Sequence, residues 1–242
     1  MEGPSLVILK EELASLKGKK IMQVGGTAKL DFSRLTNAKI NQINTWGKHF
    51  LLVFSGFTIR IHFLLFGSYR INERKDRAPK LTITCGGKEV NFYSCAVTIL
   101  EEVPDKIYDW SCDVMSDAWD PTKARKKLKQ LPHLNVGDAL LDQTIFAGVG
   151  NIIKTEVLYR IKVHPDSNIG NLPPRKLGEL IKEARLYSFD FLHWKKEFIL
   201  RKHWLAYKKK ICRRCNVAIQ LKYTGITKRR SFYCEQCQVL YN

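Results

Sequence analysis

The spacing of hydrophobic residues divides the chain into a helical start, a long stretch of strands and a second helical region. Near the start, leucines recur at helical spacing and predict an amphipathic helix of about ten residues. Pro4 lies at its beginning and Gly18 is expected to end it. The recurring positions are Leu6, Leu9, Leu13 and Leu16.

Between Lys19 and Glu102 hydrophobic residues alternate with polar ones, which predicts β-strands separated by turns. The predicted strands are Ile40–Trp46, Phe50–Phe54, Thr58–Phe66, Leu81–Cys85 and Val90–Leu100. The end of the third strand, Leu64-Leu65-Phe66, stops alternating and is apolar on both sides. Short strands in this arrangement predict an antiparallel sandwich or barrel.

Helical spacing returns in the second half of the chain. The predicted helices are Val136–Phe146, Ile152–Arg160 and Lys176–Trp194. A basic, helix-like run, Lys123–Lys129, falls in the segment that is expected to connect the two halves. The pattern as a whole predicts an α+β protein.

The charge of the chain indicates a polyanionic partner. Its 242 residues include 41 Lys and Arg against 23 Asp and Glu, which gives a net charge of +18. Nucleic acid is the default partner for such a protein. No stretch is long and apolar enough to span a bilayer, and no long basic amphipathic helix suggests a membrane surface. The start of the chain also lacks the features of a signal peptide.

Four cysteines near the end of the chain have the spacing of a zinc ribbon. Cys212 and Cys215 form one Cys-x2-Cys pair, Cys234 and Cys237 form a second, and 18 residues separate the pairs. Four thiolates complete a tetrahedral site and leave no open position, so the predicted zinc is structural. The remaining cysteines are Cys85, Cys95 and Cys112; this odd number of free thiols is expected in a reducing compartment.

The region around the cysteine pairs is strongly basic. From Lys195 to Arg230 there are thirteen Lys or Arg residues and one acid, Glu197. Clustered Lys and Arg beside aromatic residues suit phosphate and base contacts, although a solvated basic turn is the simpler alternative. Upstream, Gly148-Val149-Gly150-Asn151 joins two predicted helices. Its bare amides at a helix start could bind an anion, or it could be an ordinary tight turn.

Five pieces of sequence, in this order along the chain, resemble the formamidopyrimidine-DNA glycosylase/endonuclease VIII family of base-excision repair enzymes. They are Glu2-Gly3-Pro4, Gly47-Lys48, His62–Gly67, the helix pair of Leu140–Gln143 and Gly148–Asn151, and the four-cysteine ribbon. The resemblance implies an N-terminal helix with an antiparallel two-layer β-sandwich, then a helix-two-turn-helix domain with a zinc ribbon hairpin. The implied domains are a catalytic domain at 1–117, a linker at 118–132, a DNA-binding domain at 133–208 and a zinc finger at 209–242.

The resemblance also assigns roles to individual residues. The family nucleophile is the amine of an N-terminal proline, and Glu2 matches the glutamate that moves protons at the sugar. Lys48 matches a lysine that contacts phosphate near the lesion. Without the resemblance, Glu2 and Lys48 would be interpreted as solvated surface groups.

Three further positions match the family's DNA contacts. Leu65, with Leu64 and Phe66 beside it, matches the residue that enters the space left by the flipped base. Asn151 matches the asparagine that holds the phosphate beside the lesion, and Arg229 matches the DNA-binding arginine of the zinc hairpin. Without the resemblance, Leu64–Phe66 would be interpreted as a core strand.

The start of the chain departs from the family pattern. Members usually begin Met-Pro-Glu-Gly-Pro, whereas this chain begins Met-Glu-Gly-Pro, so the nucleophilic proline is missing. A large acidic second residue blocks removal of the initiator, which predicts that Met1 is retained. A terminal amine with an ordinary pKa of about 7.7–8.0 is partly unprotonated near neutral pH and can form a Schiff base. Met1 is therefore the predicted nucleophile. The alternatives are a sequence that lacks a residue at its start and a relative that binds lesions without cutting.

The segment Phe92–Thr98 lacks the Arg-x-Phe of the formamidopyrimidine branch, so the chain is more similar to the endonuclease VIII branch, which prefers oxidised pyrimidines. The expected activity is a DNA glycosylase and abasic-site lyase acting by β,δ-elimination. The expected partner is duplex DNA with a damaged base or abasic site, bound by a monomer inside the cell, in the cytoplasm, nucleoid or nucleus. A zinc-ribbon RNA-binding protein is the alternative from a different class.

Overall fold

The computed structural model describes residues 1–226 and 228–242. Thr227, which belongs to the predicted zinc finger, lies outside the described residues. The chain divides into two compact units, one formed by Met1 and Gly3–Tyr108 and the other by Glu2 and Asp109–Asn242. The first is built mainly of strands and the second mainly of helices, so the predicted α+β class is confirmed.

The first unit begins with helix α1, Gly3–Glu12. Leu6 and Leu9 are buried on it, whereas Leu13 and Leu16 are buried in the segment that follows, which includes a short 3-10 helix. The α-helix therefore ends at Glu12, earlier than Gly18. The chain continues into the 3-10 helix, and Leu13 and Leu16 still face the core.

The strands of the first unit form two antiparallel sheets of four strands each. The strands are β1 (Ile21–Gly25), β2 (Gln42–Trp46), β3 (His49–Val53), β4 (Thr58–His62), β5 (Ser68–Ile71), β6 (Leu81–Cys85), β7 (Lys88–Tyr93) and β8 (Ala96–Leu100). The sheet orders are β1-β6-β7-β5 and β2-β3-β4-β8. Side chains of both sheets, such as Ile59 and Ile83, share one core with the leucines of α1, which confirms the predicted sandwich.

Two strand predictions were wrong in their extent. The predicted strand Val90–Leu100 is two strands in different sheets, and the chain changes sheet at Ser94, whose φ of 49° no strand residue adopts. The predicted strand Thr58–Phe66 ends at His62. Strands β1 and β5 were not predicted, because their residues are mostly half-exposed and do not alternate clearly.

The second unit contains the helices α3 (Pro121–Lys129), α4 (Val136–Leu141), α5 (Asn151–Arg160) and α6 (Pro174–Lys196), after a short helix α2 (Pro104–Ile107) that belongs to the first unit. Helix α3 lies in the predicted linker and begins where the carboxylate of Asp120 accepts hydrogen bonds from the amides of Thr122 and Lys123. The predicted helix Val136–Phe146 ends at Leu141, because Asp142 accepts a hydrogen bond from the Thr144 amide and forms a turn. Ile145 and Phe146 remain buried beyond it.

The second unit ends in an antiparallel hairpin of β9 (Gln220–Thr224) and β10 (Arg229–Tyr233). Helix α5 packs against α6 and also against β10, so the hairpin is attached to the helical core of this unit. In the part of the chain that the structure describes, every helix is too short or too polar to cross a bilayer. The domain boundaries implied by the resemblance remain predictions.

Candidate active site and nucleic-acid interface

In the first unit, the terminal amine lies beside an exposed apolar loop. The Met1 amine donates a hydrogen bond of 3.3 Å to the carbonyl of Leu64. Leu64, Leu65 and Phe66 are 52%, 70% and 79% exposed, although all three are large and apolar. The loop returns tightly at Gly67, where a Cβ would overlap the backbone of Phe63. The interpretation of Leu64–Phe66 as a core strand is therefore wrong.

The first unit also contains a cluster of imidazoles and cations. Its members include His49, His62, Lys48 and Arg60, which precede this loop in the sequence. Burial lowers the pKa of His62, and the positive charges of the Met1 amine, Lys48 and Arg60 lower it further. Burial likewise lowers the pKa of His49 to about 4, with Arg60 and His62 adding to the effect. Both imidazoles are therefore neutral near pH 7. Lys48, in the turn between β2 and β3, and the Met1 amine both act on the pKa of His62.

In the second unit, the carboxylate of Glu2 occupies the start of α5. One of its oxygens accepts a hydrogen bond of 2.7 Å from the Ile152 amide, and the other accepts one of 3.3 Å from the Ile153 amide. Glu2 is only 9% exposed. Free amides and the helix dipole make a helix start favourable for a negative charge. The interpretation of Glu2 as a solvated surface group is therefore wrong.

The Gly148–Asn151 turn makes room for this carboxylate. A Cβ at Gly150 would overlap the side chain of Glu2, so glycine is required there by space rather than by its φ. Gly148 has a φ of 99°, and its amide donates to the side-chain oxygen of Gln143 over 3.0 Å. The side-chain oxygen of Asn151 is buried and has no hydrogen-bond partner among the described residues.

The predicted DNA contact Arg229 is an exposed residue at the start of β10, opposite Thr224. Close to it is a buried cation that the sequence did not reveal, Lys154 of α5, which is 1% exposed. Its ammonium donates to the Ser231 hydroxyl over 2.8 Å and to the Arg230 carbonyl over 3.2 Å. Lys154 thereby fixes β10 to α5.

Helix α4 holds the other side of the hairpin. The carboxylate of Asp138 accepts a hydrogen bond of 2.7 Å from the Ile226 amide, beside the Gly225 turn. Gly225 has a φ of 70°, and any side chain there would overlap Asp138. Two buried ionisable residues, Asp138 and Lys154, therefore position the backbone on both sides of the hairpin end.

The four cysteines of the ribbon come together in the second unit. The sulfur atoms of Cys212, Cys215, Cys234 and Cys237 lie within 4.8 Å of one another. The Cys212 and Cys237 sulfurs are 3.9 Å apart. Sulfurs bound at about 2.3 Å around a tetrahedral zinc are about 3.8 Å apart, so this arrangement fits the metal. Although burial opposes it, hydrogen bonds from Tyr159 and from the amides of Arg214 and Cys215 lower the pKa of Cys212 to about 6, which favours the thiolate that binds metal.

The structure thus places the predicted residues in two groups. The first unit contains Met1, Lys48 and the exposed loop Leu64–Phe66, and the second contains Glu2, Asn151, Arg229 and the cysteines. Sequence reasoning missed the roles of His62, Gly150 and Lys154. No local signal marked Lys154, because its hydrogen-bond partners lie 76 and 77 residues away in the sequence.

Comparisons with known proteins agree with this geometry. Residues 111–186 match the family model described as the formamidopyrimidine-DNA glycosylase H2TH domain. Endonuclease 8-like 3 of Xenopus laevis is 31% identical over 221 residues, which is 86% of this chain and 36% of that protein. Endonuclease 8 2 of Mycobacterium tuberculosis is 26% identical over 222 residues, which covers 84% of this chain and 85% of that protein. The chain therefore spans about a third of the length of the endonuclease 8-like 3 relative.

Solved structures share the fold over nearly the whole chain. A viral DNA glycosylase has a TM-score of 0.84 at 21% identity, covering 99% of this chain and 100% of that one. The Lactococcus lactis formamidopyrimidine-DNA glycosylase, bound to DNA that contains an abasic site, has a TM-score of 0.85 at 21% identity, covering 98% of this chain and 99% of that one. Residues 111–186 are therefore an H2TH domain of the formamidopyrimidine-DNA glycosylase type, most of the chain is similar in sequence to endonuclease 8-like relatives, and the fold is the one that these solved glycosylase structures share.

Proposed function

We propose that this chain is a DNA glycosylase of base-excision repair that removes oxidised bases, pyrimidines in particular, and cuts the strand at the resulting abasic site. The match to the H2TH domain and the similarity to the endonuclease 8-like relatives support this reaction class. The observation that carries the proposal for this chain is the buried Glu2 carboxylate, held by two amides at the start of α5 and adjacent in sequence to the terminal amine of Met1.

The proposed reaction uses the Met1 amine as the nucleophile. Its nitrogen bonds to C1′ of the damaged nucleotide while the bond from C1′ to the base breaks, and the base leaves with a proton. The C1′–O4′ bond then breaks as O4′ takes a proton, and loss of the amine proton leaves a Schiff base on the opened sugar. From it, β- and then δ-elimination release the two phosphates flanking the sugar; water then frees the amine. Glu2 accepts and returns the protons at the sugar.

The remaining residues are proposed to hold the DNA. Lys48, Asn151 and Arg229 contact phosphates around the lesion, which position the duplex without reading its sequence. The exposed Leu65, supported by Leu64 and Phe66, fills the space that the flipped base leaves, since extrusion costs a few kcal/mol of stacking and pairing. We also propose that the four cysteines bind structural zinc, which stabilises the hairpin that carries Arg229.

Borohydride trapping on a duplex with an abasic site tests the nucleophile directly. The Schiff base should be reduced to a stable protein–DNA adduct, and peptide mapping should place it on Met1. Acetylation of the terminal amine should abolish the adduct, whereas insertion of a proline between Met1 and Glu2, followed by removal of the initiator, should preserve it. An adduct that maps to a lysine, or none at all, would refute the assignment of Met1.

A second candidate is a relative that binds abasic sites without cutting them, and the missing N-terminal proline favours it. It predicts tight binding to an abasic duplex with neither adduct nor strand cleavage. The RNA-binding alternative is tested by competition, because structured RNA should then displace the abasic duplex at equal concentration. On our proposal, the lesion duplex is preferred over both RNA and undamaged DNA.

A further inference from the structure

A pocket in the second unit lies on residues that the proposed function does not use. It has a volume of about 550 Å³ and lies between α3 and α6. Its lining consists of Trp119, Pro121, Thr122, Arg125, Gly178, Ile181, Lys182, Arg185 and Leu186. None of these residues is among the site residues described above, and the volume is typical of pockets that hold a ligand or an anchoring side chain.

The apolar part of this pocket continues onto exposed surface. Trp119 packs against the buried Phe146, and the indole forms one wall beside Ile181. One edge is formed by Leu186, which is 47% exposed, and one turn further along α6 Phe189 is 40% exposed. Two large apolar side chains three residues apart on one helix, next to a pocket, form a surface onto which apolar anchors can pack.

The polar part of the pocket carries one sign of charge. Arg125, Lys182 and Arg185 contribute to the lining, and among the described lining residues there is no acid. Arg185 is held in place, because its guanidinium donates to the carbonyls of Val114 and Ser116 over 3.1 and 2.8 Å and lies over the ring of Phe189. The acids nearby on α6, Glu179 and Glu183, pair instead with Lys176 and Arg160.

We propose that this pocket, with the adjacent Leu186–Phe189 surface, binds an acidic peptide segment of a partner protein that inserts a bulky apolar side chain. The apolar wall and the exposed leucine and phenylalanine would bury the anchor away from water, which favours binding. The cations would pair with flanking carboxylates and fix the orientation of the peptide. Nucleic acid is the poorer fit, since a phosphate backbone offers no anchor for the apolar wall.

Fluorescence anisotropy with a labelled synthetic peptide tests this proposal. The probe is an amphipathic peptide of about fifteen residues with Leu and Phe one helical turn apart among glutamates. We expect it to bind with micromolar affinity, and Lys182→Glu or Leu186→Asp to weaken binding by about tenfold or more. Lys126→Glu makes the same change of charge at an exposed position of α3 outside the pocket. It should have little effect on peptide binding. A peptide with alanine at both anchor positions should also bind at least about tenfold more weakly.

The proposal would be overturned if Lys126→Glu and Lys182→Glu lost peptide binding equally. It would also be overturned if the alanine peptide bound as tightly as the peptide with Leu and Phe. Either result would mean that only general charge attraction holds the peptide. Pocket variants that lower affinity for duplex DNA and leave peptide binding unchanged would overturn the proposal too, since the surface would then belong to nucleic acid. Thermal melting of each variant checks that the second unit stays folded. Cleavage of lesion DNA by the pocket variants should match the unmodified protein, so this test stands whether or not the chain proves to be a glycosylase.

Discussion

Lys154 offers a test of how α5 holds the zinc-ribbon hairpin. We choose Lys154→Met, which retains an unbranched side chain of similar length and removes the amine. The hydrogen bond to the Arg230 carbonyl is lost, whereas the Ser231 hydroxyl keeps its partner in Thr224 at 2.6 Å. The cost of removing the ammonium from this part-buried carbonyl, at most about 1–3 kcal/mol, is opposed by removal of a buried charge. A single stability measurement is therefore uninformative, and the pH dependence is decisive.

The pH dependence follows from the buried amine. Burial lowers the pKa of Lys154 from 10.5 to about 8, and nearby Asp138, which raises it, only partly offsets this. Between these two values the unfolded chain binds more protons than the folded chain. The free energy of unfolding therefore rises with pH across this range, and the contribution of Lys154 to it is lost as the pH falls through about 8. At about 1.4 kcal/mol per pKa unit, the unmodified protein should gain about 2 kcal/mol relative to Lys154→Met between about pH 7 and pH 9.5.

Urea denaturation at several pH values, with zinc present, measures this difference. Tryptophan emission is a suitable probe, because four of the five tryptophans lie in the second unit. Lys126→Met removes an exposed amine and serves as the control, with a pH dependence like that of the unmodified protein. If Lys154→Met retained that same dependence, the amine would not be a buried cation and our reasoning on the hairpin would be wrong.

Three other changes probe the same unit. Gly150→Ala should displace the Glu2 carboxylate from the start of α5 and lower abasic-site cleavage by about a hundredfold while duplex affinity, measured by anisotropy, changes little. Cys234→Ser should abolish bound zinc, measured by elemental analysis, and weaken duplex binding by about tenfold or more, because the hairpin loses its metal. Glu156→Gln should lower the free energy of unfolding of the unit by about 2 kcal/mol in urea titrations. The buried Glu156 carboxylate accepts hydrogen bonds from the backbone amides of Leu205, Ala206 and Tyr207, and a glutamine side chain has only one acceptor oxygen.

The sequence predicted what local periodicity and spacing can specify. The cysteine pairs predicted the sulfur cluster, because two short turns each present two thiols. The alternation in Leu81–Cys85 predicted strand β6 with its correct limits, because one face of that strand is buried and the other is not. The Gly-x-Gly-Asn turn also predicted the start of α5, which begins at Asn151 rather than at Ile152.

The errors arose where a residue's surroundings come from distant parts of the chain. Lys154 bonds to residues 76 and 77 positions away, so no local pattern could identify it as a buried cation. The chain changes sheet at Ser94 within an apolar run whose periodicity continues on both sides. Leu64–Phe66 look like core residues in sequence, and only the tight return at Gly67 exposes them.

The occupied start of α5 also changes how phosphate binding should be understood. A helix start with free amides is an anion site, and the sequence alone left open whether this turn binds a phosphate or is an ordinary tight turn. In the structure the Ile152 and Ile153 amides are engaged by Glu2, so they serve the catalytic carboxylate that we propose. On our proposal, phosphate is then held by side chains, including that of Arg229, whose position depends on the hairpin. Asp138 and Lys154 hold the hairpin in position through their hydrogen bonds to its backbone. Two buried ionisable residues thus position the strand that carries the exposed Arg229.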